Sequence, residues 1–137
     1  MKGLLLACLF CACTARAGIT DRLPAKELKI LSKVGREYGL AGESLRLLFV
    51  IRVVENGGPG REMGVLTPKA QRFKGDFEKS LELQAQWAAG TIKRRFTGDL
   101  ASFAERWCPT TGNLNADERR LNKHWLKNAR YYMEERA

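Results

Sequence analysis

The stretch Leu45-Arg46-Leu47-Leu48-Phe49-Val50-Ile51-Arg52-Val53-Val54-Glu55, followed at once by Asn56-Gly57-Gly58-Pro59-Gly60, decides the reading of this chain. Its first part is apolar nearly all round, which places it in the middle of a domain. Its β-branched residues leave a buried strand open as an alternative. Its length, and Glu43 near its start, favour a helix from Glu43 or Ser44 to Glu55. The glycine-rich segment then stops that element and lets several residues take positive φ.

Outward from this centre the pattern is helical. Pro24 suits a first helical position. Leu28, Leu31 and Val34 then share one side of a helix from Ala25 to Tyr38, ended by Gly39. Residues 61–79 carry Gly64, Pro68 and Gly75 and read as a loop region with room for a β-turn or short hairpin. Ser80 is expected to cap a helix over Leu81–Arg95, with Leu83, Trp87 and Ile92 inward and Lys93, Arg94 and Arg95 at the dipole's negative end. Asp99 caps Leu100–Trp107. The last helix runs from Asp117 to Glu135, with Leu121, Trp125, Ala129 and Tyr132 on one face. The expectation is one mainly α domain of about five helices, with a small β element near residues 61–79 as an option.

The first residues read as an export signal. Met1-Lys2 is a short positive region, Leu4 to Cys13 is apolar but too short to span a bilayer, and Ala15-Arg16-Ala17 supplies a cleavage site. Residues 1–17 are therefore expected to leave, with residues 18–137 forming the domain, periplasmic or extracellular. Lipidation at Cys8 or Cys13 is the variant. Cys8, Cys11 and Cys13 would leave with the signal, so Cys108 would remain alone, with no internal disulfide. Cys108 with the single histidine, His124, is a weak nucleophile–base pair, and no Cys/His cluster points to a metal. No cofactor is expected.

The chain carries 24 Lys+Arg against 15 Asp+Glu, a formal charge of +9. Without Lys2 and Arg16 it is +7. Such a protein is drawn to polyanions. Outside the cytoplasm these are wall polymers and membrane surfaces, so nucleic acid is the disfavoured partner and a peripheral contact with an anionic wall or membrane the favoured one.

Glu55 is the residue on which chemistry would rest. Ile51 and Leu48 precede it on the same side of a buried helix, and it sits at the helix's negative end. Desolvation and the dipole both favour the protonated carboxyl, the form that donates a proton to a glycosidic oxygen. The competing reading is an ion pair with Arg52, three residues back, which would favour the carboxylate.

The segment Val54-Glu55-Asn56-Gly57-Gly58, followed by Met63-Gly64-Val65-Leu66-Thr67, resembles the signature of the lytic transglycosylase and goose-type lysozyme superfamily. The segments Phe103-Ala104-Glu105-Arg106-Trp107-Cys108-Pro109 and Leu121-Asn122-Lys123-His124-Trp125-Leu126-Lys127-Asn128 are similar to small lysozyme-like proteins of bacteria and phages. The resemblance covers roughly residues 43–132. It implies a lysozyme-like fold, a monomer, and cleavage of peptidoglycan glycan strands with Glu55 as general acid. Gly64 and Val65 would be cleft backbone. Asn56 stands where Ser is usual, and Thr67 where Gln is usual. The Ala-Tyr-Asn motif is absent, leaving Tyr131 and Tyr132 as possible substitutes. Asn56, Gly64, Val65, Thr67, Trp125 and Tyr132 are the substrate-binding candidates. Trp107 and Trp125 are candidates to stack on sugars, against the commoner core role. Glu62, Asp76, Glu78 and Asp117 are possible second carboxylates, none of them favoured. The alternative function is an exported, non-catalytic helical module that binds wall polymer or a partner protein.

Overall fold

A computed structural model describes residues 18–135; the expected signal segment lies outside the described residues. Five α-helices follow one another: α1 (Ala25–Glu37), α2 (Glu43–Glu55), α3 (Phe77–Arg95), α4 (Leu100–Trp107) and α5 (Ala116–Glu134). Short 3-10 turns occupy Ile19–Arg22 and Pro68–Gln71. The chain is mainly α, as the sequence implies, and the described residues contain no strand. The optional β element over residues 61–79 is therefore corrected to a loop with one 3-10 turn.

α2 is the hub. Leu47, Leu48, Val50 and Ile51 are each 0% exposed, and α1, α3 and α5 pack around them. This is why the helix can be apolar on every side. α5 is tied to α2 by Arg46, which donates to the carbonyls of Tyr132 (2.9 Å) and Met133 (3.0 Å) near the end of α5. These are end-of-helix acceptors that lack intrahelical partners.

Two helix starts differ from expectation. α3 begins at Phe77 and its cap is Asp76, whose side chain accepts from Lys79 N–H. Ser80 lies inside the helix, fully buried, and its hydroxyl is used elsewhere. α5 is capped by Asn115, with Glu118 completing a capping box. The Asp99 cap of α4 is present, accepting from Ala101 and Ser102 N–H.

Two large residues face the other way from expectation. Trp87 is 39% exposed and Leu121 58%. On α3 the buried face is lined by Leu81, Ala85, Ala88, Ala89 and Ile92. Small side chains there let helices approach closely, and they carry little weight in a reading that looks for bulk.

Candidate active site

The loop between α2 and α3 is built around buried polar groups. Asn56 takes the left-handed conformation (φ 42°) that ends α2. Gly57 then runs so close to the returning chain that a Cβ would overlap Arg61's carbonyl oxygen; only glycine fits. Glu62, 1% exposed, accepts from Ser80 Oγ (2.6 Å) and Gly60 N–H (3.0 Å). Gln84 of α3, 0% exposed, does more. Its Oε1 accepts from Met63 and Val65 N–H (3.2 and 3.1 Å), and its Nε2 donates to the carbonyls of Gly60, Val65 and Ala70 (2.9, 2.9 and 3.0 Å). One amide thus holds the loop's backbone at four residues.

That loop brings Gly64 against Glu55. Gly64 has φ +78°, and an added Cβ would lie 2.9 Å from Glu55 Oε1 and closer still to Oε2 and Cδ. The opposite side of the carboxyl is held by two indoles. Trp107 Nε1 (3.0 Å) and Trp125 Nε1 (2.8 Å) both donate to Oε1. Trp107 stacks on Phe103 (5.7 Å between centroids), and Phe103 also lies near Trp125 (6.5 Å) and edge-on to Phe96 (6.1 Å). Each indole is therefore fixed by aromatic packing before it reaches the carboxyl.

Arg52 does not pair with Glu55. Its guanidinium donates to Glu27 Oε1 from Nη2 (2.6 Å) and Nε (3.1 Å) and to the carbonyl of Glu62 from Nη1 (3.3 Å). Both side chains of that pair are about nine-tenths covered. The alternative the i,i+3 spacing allowed is removed because Glu27, on α1, takes the guanidinium instead. No spacing rule within one helix could reveal a partner on another.

The remaining candidates fall as follows. Trp125 is 7% exposed, with its N–H committed to Glu55. Val65 is held by Gln84 through both its N–H and its carbonyl. Thr67 is exposed and precedes the 3-10 turn at Pro68. Tyr132 lies under the Arg22 guanidinium (5.1 Å) and edge-on to Tyr131. Asn56 is exposed and lines a concavity of about 570 Å³ with Arg22, Lys26, Arg52 and Phe77 among its walls. Beyond it, Gly57, Gly58, Lys74 and Phe77 line another of about 270 Å³.

None of the four acidic candidates meets Glu55. Glu62 is engaged with Ser80 and Gly60, Asp76 caps α3, Glu78 pairs with Lys26, and Asp117 lies 3.8 Å from Arg120. Cys108 is half-buried, and burial, with the nearby Glu55 carboxyl second, pushes its thiol up to about 12. It is a thiol at neutral pH, not a thiolate nucleophile. Among the described residues, no group of three His, Cys, Asp or Glu side chains could hold a metal.

Sequence reasoning placed Glu55 and Gly64 in one site but missed how they are joined. Trp107 and Trp125 read from sequence as stacking or core residues; the acceptor they share, Glu55 Oε1, was not foreseen. A buried glutamine on a helix otherwise lined with alanine and leucine was the available signal for Gln84. Neither a family model, nor a curated protein, nor a solved structure matches the chain.

Proposed function

We propose that the protein cleaves the glycan strands of peptidoglycan, with Glu55 as its general acid. The observation that carries this reading is the asymmetry of the Glu55 carboxyl. Oε1 accepts two indole N–H bonds, and Oε2 is the oxygen those donors leave open. Oε2 lies against Gly64, which presents no side chain. A carboxylic acid whose accepting oxygen is fixed and whose donating oxygen faces bare backbone is arranged to give up a proton at one defined point. Trp107 and Trp125 serve here as positioning residues, and Trp125 is not a sugar platform.

The glycosidic oxygen takes the proton from Oε2 as its bond to the anomeric carbon breaks. Glycosidases that retain or invert by the usual routes need a second carboxylate, and the acidic candidates are engaged elsewhere. The sugar's own 6-hydroxyl therefore attacks the anomeric carbon, and its proton returns to Glu55. The acid is regenerated, no water is consumed, and the product ends in a 1,6-anhydro ring. Attack by water, assisted by the sugar's N-acetyl group, would leave an ordinary reducing end.

One observation favours the non-catalytic reading. The concavities of about 570 and 270 Å³ open at Asn56 and Gly57, not at the Glu55 side chain. A binding module would use them without needing Glu55.

The deciding experiment measures clearing of purified peptidoglycan by the parent protein and by Glu55→Gln. Activity is expected to fall at least ~10²-fold in the variant, with its fold intact because an amide is easier to bury than a carboxylate. Mass spectrometry of the released fragments then separates anhydro from reducing ends. Equal clearing by Glu55→Gln would remove Glu55 from the mechanism. A parent that binds the wall but clears nothing would establish the binding module.

A further inference from the structure

The outer face of α5 carries a row of cations with no local reason to be there. Arg119, Arg120, Lys123, Lys127 and Arg130 fall between the acids of the first turn and Glu134, with His124 among them and no acid between. Four of the five, Arg119 being the exception, are exposed. Arg119–Lys123 and Lys123–Lys127 are i,i+4 pairs of like charge, and Arg120–Lys123 and Lys127–Arg130 are i,i+3 pairs; each weakens a helix.

Elsewhere several such charges are neutralised or exploited. On α1, Lys26 meets Glu78 and Lys33 meets Glu82 and Glu37. On α3, Lys93, Arg94 and Arg95 sit in the last turn, where the helix dipole favours them. The α5 row lies in the middle of its helix, so the dipole offers nothing. Its acidic neighbours are Asp117, 3.8 Å from Arg120, and Asp99, which feels Arg130. Arg119 spends one N–H on the Leu114 carbonyl. Self-repulsion retained on one face of one helix is local frustration, which natural sequences keep where something else answers it.

The geometry points to a linear anionic polymer on this face, and we propose that it is an acidic strand of the same wall material on which Glu55 acts. From Arg119 to Arg130 the row runs about 16 Å along the helix axis, at about 1.5 Å per residue. That is a line, suited to a strand. A bilayer surface would be met by an amphipathic helix with its apolar face available, and here Trp125, Ala129 and Met133 of that face are buried in the core. The row also lies on the side of α5 opposite Trp125, whose indole touches Glu55. A short soluble ligand could not reach both faces; a mesh of long strands can hold one while another is cut.

The proposal rests on the reading of Glu55, and its test separates the two. Arg120, Lys123 and Lys127 are replaced together by Gln in the full-length protein. Cosedimentation with purified insoluble wall is measured across a salt series, beside activity on short soluble glycan fragments. The parent is expected to release with rising salt. The triple variant is expected to bind about tenfold more weakly at low salt, three exposed ionic contacts being worth roughly that together, to lose most of the salt dependence, and to cut soluble fragments at the parent's rate. Glu55→Gln is expected to bind as the parent does, so a parent that never cuts leaves this result standing. Unchanged retention of the triple variant overturns the proposal, as does a parent that is held by anionic vesicles or by DNA but not by wall.

Discussion

At Gly64 two constraints meet in one residue. The backbone has φ +78°, and the space where a Cβ would stand is filled by the Glu55 carboxyl. Gly64→Ala is therefore expected to cost about 1–3 kcal/mol of stability from the strained φ and the displaced acid. The proposed wall-clearing activity should fall further than that loss implies, because the carboxyl must leave its indole donors. Chemical denaturation and a clearing assay on the same preparation check this; an alanine variant with parental activity would show that the close approach has no bearing on the chemistry. The place of Glu55 was legible from sequence, since an acid at the end of a largely apolar helix is visible in one dimension. Its freedom from Arg52 was not, because Glu27 lies twenty-five residues away.

At the scale of elements, α2 shows how a segment's pattern can settle its place. The helix ends at Glu55 as the pattern implied, and starts at Glu43, the earlier of the two starts it allowed, since glycines flank it on each side. α3 was less legible. Its buried face includes Leu81 and Ile92, but between them it is made mostly of alanines and Gln84, and the larger Trp87 drew the reading outward. Residues 56–60 read as a stop and 61–79 as a loop region with an optional β element, because the order of this segment comes from α3 and not from its own residues. Gln84→Leu keeps the bulk but removes all five bonds this amide makes to that loop, leaving buried N–H and C=O groups unmatched. Each such group costs about 1–3 kcal/mol, so the variant should unfold at markedly lower denaturant. Its loop should also be cut by protease well before the helices are. If Gln84→Leu matches the parent in both, the loop is held by something other than this amide.

Across the whole molecule, part of the response to acid follows from a junction between α4 and α5. Glu105 accepts from the hydroxyls and N–H groups of Thr110 and Thr111, and these bonds, the Thr111 hydroxyl foremost, pull its carboxyl down to about 2. The folded form is the one with the depressed value, so this contribution is complete above the ordinary carboxylate range and is lost as pH falls toward 2. Thermal stability of the parent should therefore decline between about pH 5 and 2. Glu105→Gln should begin less stable at neutral pH and lose less over that window. Parallel curves for the two proteins would mean the Thr110–Thr111 bonds do not distinguish folded from unfolded chain.

The sequence by itself determined the class of the fold, the central helix and the acid at its end. These depend on periodicity, on glycine and on the burial that an all-apolar segment demands, and all three are properties of neighbouring residues. Only the tertiary structure decided what surrounds that acid. The indoles of Trp107 and Trp125 reach Glu55 from residues fifty-two and seventy positions away. Gly64 is pressed against it by a glutamine on α3, and Arg52 is drawn off by a glutamate on α1. Hydrogen-bond partners are chosen by distance in space, and no local pattern encodes which distant donor a folded chain will bring within 3 Å.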